Sequence, residues 1–459
     1  MDNSETIAAP ISAPGAAAIA CVRVSGPKTS AVIGKLIAKH FEVKVFDITA
    51  TEEEPVVLDL ALVSYFAGPR SFTGEDCAEF QLHGSAFLVS RLLECLFSLG
   101  VRQAEPGEFS KRAFLNGQID LSQAEGVADL IAAETQAQAR VAQQQLAGRL
   151  SNAISDLGEP LRDLLAEIEA FIDFPEEDIE PLDQQKWLSA LKPVFDSVQK
   201  YVASYRSGKV YRDGAKVVLA GVPNAGKSSL LNAFVGESRA IVTDIAGTTR
   251  DSIESRIDVK GLAVNIWDTA GLVDSGVERD EVERLGIERS WKLLDDADLT
   301  MFVFSPDEDL AIQSKFFARV AKRSSKILVV LNKQDTIDLS RQKQLRIELK
   351  ELIGEAPLLL SAETSSGVAE LQEELYRRLV GDTNPQSSLL ICNRRHFEAL
   401  SQATEALERA QHLLRSGVIE PEFVSLEIRS SLSCIQEIVG VTHTEDILGR
   451  IFSKFCIGK

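Results

Sequence analysis

GVPNAGKS (221–228) follows the apolar run VVLA and fits the pattern G-x-x-x-x-G-K-[ST]. The order is strand, glycine loop, helix. The backbone N–H groups of such a loop, and of the helix N-terminus behind it, converge on phosphate oxygens. Asn224, Ala225, Gly226, Lys227, Ser228 and Ser229 supply the loop and its first helical turn. Lys227 would reach the β- and γ-phosphates, and the Ser228 hydroxyl would coordinate Mg²⁺. A glycine turn in an unrelated α/β protein has the same local pattern, so the elements that follow decide the reading.

DTAG (268–271) comes next after a strand. Asp268 can hold magnesium through water, Thr269 and Ala270 continue the loop, and the Gly271 N–H can sense the γ-phosphate. NKQD (332–335) also follows a strand; Asp335 can accept two hydrogen bonds from the guanine N1 and N2 edge, which adenine cannot donate. Asn332 would brace base and loop, and the Lys333 stem would cover the ring. SAE (361–363) stands where a backbone N–H can meet guanine O6, through Ser361 and Ala362. Between the glycine loop and DTAG lies TDIAGTTRD (243–251), whose Thr243, Asp244, Ile245, Ala246, Gly247 and Thr248 lead to Thr249, a switch threonine for Mg²⁺. In this order the elements resemble the translation-factor-like branch of P-loop GTPases. The residue after DTAG is Leu272, not a glutamine able to position water. Charge on the transferring phosphoryl group must then be met by another group. The Asn224 side-chain oxygen could hold a monovalent cation near the β–γ bridge, or it could be a loop-capping amide.

The 459 residues suffice for two to four domains, and 45% hydrophobic with 25% charged residues is ordinary globular composition. No apolar run approaches a membrane span, and MDNSETIAAP does not read as a secretory leader. The six cysteines are scattered, without a CxxC pair, which fits a reducing cytoplasm. A net charge of −19 and a pI near 4.9 argue against broad, sequence-independent nucleic-acid binding, though not against a local basic patch.

The predicted fold class is α/β with α. Residues 1–118 read as mixed α/β, with strand-like AAAIACVRVSG (16–26) and VVLDLALVSYF (56–66) and a helix over AFLVSRLLECLFSLG (86–100). Leu146, Leu150, Ile154, Leu157, Leu161, Leu164, Ile168 and Phe171 form one continuous helical stripe, a packing face, and FPEEDIEP (174–181) breaks it as a loop. KVVLAGV, VNIWDTAG, LTMFVFS and KILVVLNK predict a doubly wound, mostly parallel sheet. Residues 393–459 turn helical again, so an α/β domain is expected to interrupt a helical one.

Four segments carry a resemblance to the MnmE (TrmE) family of tRNA-modification GTPases: the N-terminal APGAAAIACVRVSGP; SFTGEDCAEFQLHGS (71–85) with GEFSKRAFLNGQIDLSQAEGVADLI (107–131); PNAGKSSLLN, TDIAGTTRD and DEVERLGIERS; and IFSKFCIGK (451–459). The resemblance spans nearly the whole chain. It implies an N-terminal folate-binding and dimerising domain (1–118), a helical domain in two parts (119–212 and 382–459) and an inserted GTPase domain (213–381). It implies a homodimer working with the flavoprotein MnmG, as a heterotetramer, to attach a (carboxymethyl)aminomethyl group to C5 of the tRNA wobble uridine. The one-carbon unit would come from a tetrahydrofolate derivative, in 5-formyl or methylene form. By the same carry-over Asn224, Thr243, Ile245 and Thr248 hold K⁺, and Glu283 helps orient the attacking water. The folate residues are Arg23, Glu79 and Lys459, with Gln118 where the family usually has a basic residue. Arg23 or Lys459 can pair with folate carboxylates and Glu79 can accept from a pterin amino group; alone, each reads as a surface charge. Cys456 is either a thiol assisting the uridine chemistry or a helix-packing cysteine. A different class, a switch GTPase acting on RNA or ribosome without modification chemistry, shares the nucleotide motifs and lacks a reason for the N-terminal segment and the CIGK tail.

Overall fold

The computed structural model describes residues 5–37, 42–45, 56–173, 184–237, 255–268, 288, 290–381, 389–416, 420–442 and 444–459. The chain forms two compact units. One comprises Met1–Ala128, Gln145–Pro175 and Ser425–Lys459; the other comprises Asp129–Gln144 and Glu176–Val424.

The first unit is built on a five-stranded sheet of order β5-β6-β2-β1-β7. Its strands are β1 (Ile7–Pro10), β2 (Ala17–Ser25), β5 (Leu62–Phe66), β6 (Cys77–Gly84) and β7 (Arg102–Gln103). β1, β2, β6 and β5 pair antiparallel, and β7 joins β1 in parallel. The pleat alternates residues between the two faces. Val22, Val24, Phe80 and Leu82 face a core shared with α1 (Thr29–Leu36) and α2 (Ala86–Ser98). Arg23 and Glu79, opposite one another across β2 and β6, lie on the other face. The predicted run 56–66 divides at Ala61 into β4 (Val56–Leu60) and β5. β4 pairs with β3 (Glu42–Val45) in a separate ladder, so one apolar stretch serves two sheets.

The helices α3 (Glu108–Leu115), α4 (Leu121–Ala132), α5 (Gln136–Leu146) and α6 (Arg149–Asp173) follow. The predicted stripe is not continuous: a turn at 147–148 separates Leu146, on α5, from the rest. α6 then buries Leu150, Ile154, Leu157, Leu161, Leu164 and Ile168 on one face. At roughly 1.5–3 kcal/mol for each fully buried side chain, that face is what keeps a 25-residue helix in place. FPEEDIEP lies outside the described residues.

The second unit holds a six-stranded sheet of order β13-β12-β11-β8-β10-β9. These are β8 (Ala215–Ala220), β9 (Ser255–Val259), β10 (Leu262–Asp268), β11 (Leu299–Phe304), β12 (Ile327–Leu331) and β13 (Leu358–Leu359). Only β9 runs antiparallel, and the parallel strands are apolar along their length because helices cover both faces. α8 (Lys227–Glu237), α9 (Leu310–Ala321), α10 (Leu339–Ile353) and α11 (Val368–Val380) accompany it. α7 (Gln184–Asp213) packs along α12 (Arg394–Arg415), with Tyr205 stacked on Phe397 at 4.3 Å between ring centroids. α13 (Pro421–Glu437) and α14 (Glu445–Phe452) close the chain.

Candidate nucleotide site and N-terminal ligand site

The C-terminal ends of β8, β10 and β12 bring the nucleotide motifs together. The loop from β8 to α8 needs two left-handed residues: Asn224 at φ 63° and Gly226 at φ 88°. At Gly226 a side chain is excluded twice, by its φ and by the Asn332 amide, which fills the space a Cβ would take. Lys227 is 9% exposed, and its ammonium donates to the carbonyls of Gly221 (3.0 Å) and Val222 (3.1 Å). Burial pushes the Lys227 pKa down, and the Asp268 carboxylate opposes that shift. A phosphate would supply the counter-charge this buried ammonium favours. Ser228 Oγ donates to Asp268 Oδ2 at 3.0 Å, so the hydroxyl expected on Mg²⁺ and the carboxylate expected to reach it through water are neighbours. Hard oxygen donors at this spacing suit that ion.

Asn332 is 1% exposed and joins three loops. Its Nδ2 donates to the Ala225 carbonyl at 3.1 Å, its Oδ1 accepts from the Ala362 N–H at 3.0 Å, and its own N–H donates to the Phe304 carbonyl at 2.9 Å. Asn332 therefore ties its own loop to the glycine loop and to the 361–362 loop, and it engages the Ala362 N–H that was expected on guanine O6. Lys333 adopts φ 58°, and its ammonium is tied to Asp307 at 2.8 Å. Asp335 lies exposed in the turn Gln334–Thr336, and buried Ser361 holds the next loop by accepting from the Thr364 N–H. Asn224 is exposed, and its amide makes no hydrogen bond among the described residues. Ser229 lies in the first turn of α8. Thr243, Asp244, Ile245, Ala246, Gly247, Thr248, Thr249, Thr269, Ala270, Gly271 and Glu283 lie outside the described residues.

In the first unit, Arg23 binds Glu79 Oε1 through Nε (3.0 Å) and a terminal nitrogen (2.8 Å). The guanidinium lies 4.8 Å from the Phe72 ring centroid and 5.5 Å from that of Phe109. Phe109 is set by α3, whose N-terminus receives the tail of the chain. The Gly107 N–H donates to the Cys456 carbonyl at 3.4 Å, and the Phe109 N–H donates to the Lys459 carbonyl at 3.1 Å. The Pro10 carbonyl occupies the space a Cβ at position 458 would need, so Gly458 lets the tail lie against β1. Arg23, Glu79 and Lys459, distant in sequence, thus share one locality. Gln118 lies beside Gly74, next to the turn that carries Phe72. Cys456 is exposed. Near Arg23, burial first and Glu79 second push the Cys21 thiol up to about 11 against the effect of Arg23, so Cys21 stays protonated at neutral pH.

A buried ionic cluster beneath this locality had no counterpart in the sequence reading. Arg112, 3% exposed, donates to Glu75 (3.1 Å), Glu108 (2.9 Å) and the Glu5 carbonyl (2.8 Å). Glu108 also accepts from Arg102 at 2.6 Å and from the Glu105 N–H at 2.8 Å. Glu75 accepts from Ser25 Oγ at 2.7 Å. The cluster fixes α3, and with it Phe109, against the sheet. The signal available in sequence was only a charged helix, EFSKR, with Glu108 and Arg112 four residues apart.

The chain matches the family model of the MnmE helical domain over residues 121–456 and that of the GTP-binding protein TrmE N-terminus over residues 6–118. It is 40% identical to the tRNA modification GTPase MnmE of Aquifex aeolicus (strain VF5), over 97% of each chain. It is 38% identical to that of Desulforamulus reducens over 99% of each, and 40% identical to that of Erwinia tasmaniensis over 100% of each. A solved G domain of the T. maritima FeoB iron transporter is 26% identical, covering 36% of this chain and 98% of that one, with a TM-score of 0.26. Both family models and relatives spanning almost the full length agree with the nucleotide-binding motifs: the chain belongs to the MnmE family of tRNA modification GTPases.

Proposed function

We propose that this GTPase hydrolyses GTP with Mg²⁺ and K⁺ and, as a cytoplasmic homodimer bound to the flavoprotein MnmG, modifies C5 of the tRNA wobble uridine with a folate-derived one-carbon unit. The observation that carries the nucleotide part is the convergence of Lys227, Ser228, Asp268 and Asn332 at one end of the β8–β10–β12 strands. Ser228 and Thr249 would hold Mg²⁺, which supplies charge neutralisation on the phosphates when bound. Asn224, Thr243, Ile245 and Thr248 would hold K⁺; the exposed position of Asn224 in the glycine loop is consistent with that role. Lys227 meets the phosphates, Asp335 reads the guanine edge, and Glu283 orients the water. The folate reading is supported by Arg23, Glu79 and the Lys459 tail sharing one locality under two aromatic rings. The uncharged Gln118 beside it leaves one fewer cation for the folate carboxylates. Residues 1–118, 119–212 with 382–459, and 213–381 are the proposed folate, helical and GTPase domains. Cys456 would present its thiol from the CIGK tail.

The testing experiment is GTP turnover in KCl and in NaCl at equal ionic strength, with and without Asn224→Ala. Turnover that is fast only in K⁺ and falls in the variant is the expected result. Equal rates in both salts would remove the cation from the mechanism and favour a switch GTPase that needs an external activator.

A further inference from the structure

An acidic protein that handles RNA must gather cations locally, because its net field repels phosphate. Residues 310–334 carry six cations and no acid, in a chain of net charge −19. Lys333 serves the nucleotide loop, and the Lys326 ammonium donates to the Arg378 carbonyl at 2.8 Å. The other four, Lys315, Arg319, Lys322 and Arg323, are exposed. The spacing of four, three and one sets them along one side of α9 and its C-terminal end. α9 turns its Gln313, Phe316 and Val320 inward, so this side faces solvent.

A second feature orders the stripe. Trp291, in the helical segment 290–295, lies under both arginines: the Arg319 guanidinium carbon is 5.4 Å and that of Arg323 is 5.1 Å from its ring centroid. The ring contact holds both guanidiniums over one aromatic face at the surface, and the delocalised, weakly hydrated guanidinium is well suited to meeting phosphate. Asp295 offsets one charge, 3.4 Å from Arg323. Ile312 is the one large exposed apolar side chain on α9, so the surface lacks the apolar centre of a protein interface.

We propose that the α9 stripe, with Trp291 as its base, binds the phosphate backbone of tRNA. Four residues spanning eight positions cover about 12 Å, enough to meet more than one phosphate of a strand. The stripe ends beside the N-terminal end of β12, whereas the nucleotide loops sit at the C-terminal end, so it acts on RNA without touching GTP. The inference rests on the tRNA reading above.

The test is a titration of a labelled, unmodified tRNA transcript with the full-length protein, read by fluorescence anisotropy at several KCl concentrations. The variant replaces Lys315, Arg319, Lys322 and Arg323 with Gln. At about 0.7–0.9 per phosphate contact, the slope of log Kd against log salt should fall by about 3, and Kd at low salt should rise at least tenfold. GTP turnover should stay at the wild-type rate. A second variant, Lys315→Glu with Lys322→Glu, leaves the Trp291 stack intact and should weaken binding in the same direction. Wild-type Kd and slope in both variants, with wild-type protein binding tRNA normally, overturn the stripe alone. Wild-type protein that binds no tRNA at low salt overturns the tRNA reading together with the stripe. Intact tRNA binding with lost binding of an acidic protein partner also overturns the RNA assignment.

Discussion

Asn332→Ala isolates the residue that joins the three nucleotide loops. The substitution removes the donor to the Ala225 carbonyl and the acceptor for the Ala362 N–H, both around a side chain only 1% exposed. Each buried polar group left without a partner costs about 1–3 kcal/mol, so the pair costs roughly 2–6 kcal/mol before relaxation and water entry. With half recovered by relaxation, about 2 kcal/mol remains, which at 1.4 kcal/mol per decade is about 30-fold. That loss must appear as weaker nucleotide affinity, as a less stable second unit, or as both. A fluorescent GDP analogue titrated into the full-length variant reads the first; a thermal melt reads the second, at about 2 °C per kcal/mol for a unit of this size. Asn332→Asp keeps the acceptor and sets a carboxylate against the Ala225 carbonyl, so it should be no better than alanine. Kd within threefold of wild type together with an unchanged melt would refute the bracing role.

Asp335→Asn should shift preference from guanine toward xanthine nucleotides in competition binding; unchanged GTP preference would contradict its role. Gly226→Ala, placing a Cβ on the Asn332 amide, should abolish measurable GTP binding while the first unit retains its far-UV signal. Arg112→Met removes the buried guanidinium that Glu108 and Glu75 share, leaving Arg102 on Glu108 and the Ser25 hydroxyl on Glu75, and should destabilise the first unit by up to about 3–5 kcal/mol in urea unfolding. Burial raises the Glu108 pKa, but the hydrogen bonds from Arg102, the Glu105 N–H and Arg112 outweigh it and hold the carboxyl below its usual value of 4.5. Its stabilising contribution is complete above the unfolded value and is lost as pH falls through the lower folded one. Melts below about pH 4.5 should therefore drop more steeply for wild type than for Glu108→Gln.

The nucleotide site was legible because its chemistry is local. GVPNAGKS, DTAG and NKQD each sit on one strand-to-loop junction, and a strand end is readable from a short apolar run followed by glycine or a polar loop. Parallel pairing then brings those ends together without further information. In the first unit the strands and α2 were legible from the residues, but the candidate site was legible only through resemblance. Arg23 and Glu79 are 56 positions apart, and only the β2–β6 register makes them a pair. The split of 56–66 at Ala61 escaped because periodicity records burial and not the sheet to which a strand belongs. The end of the stripe at Leu146 escaped for a similar reason: spacing alone runs through a two-residue turn. The cluster of Glu75, Arg102, Glu108 and Arg112 draws on three separate elements, and no short window contains it.

The Arg23–Glu79 pair carries its own counter-ion, and this governs what can enter. A simple anion approaching Arg23 meets a guanidinium already neutralised by a carboxylate tethered 2.8 Å away. That internal rival acts at a high effective concentration and need not be recruited from solution. Phosphate, acetate or chloride would gain one charge contact while stranding Glu79, close to no net gain. A ligand that offers an acceptor to Arg23 and a donor to Glu79 at once leaves neither side chain stranded. A ligand site built on this pair would discriminate by making partial matches unfavourable, and it would do so with two residues that also link adjacent strands of its sheet.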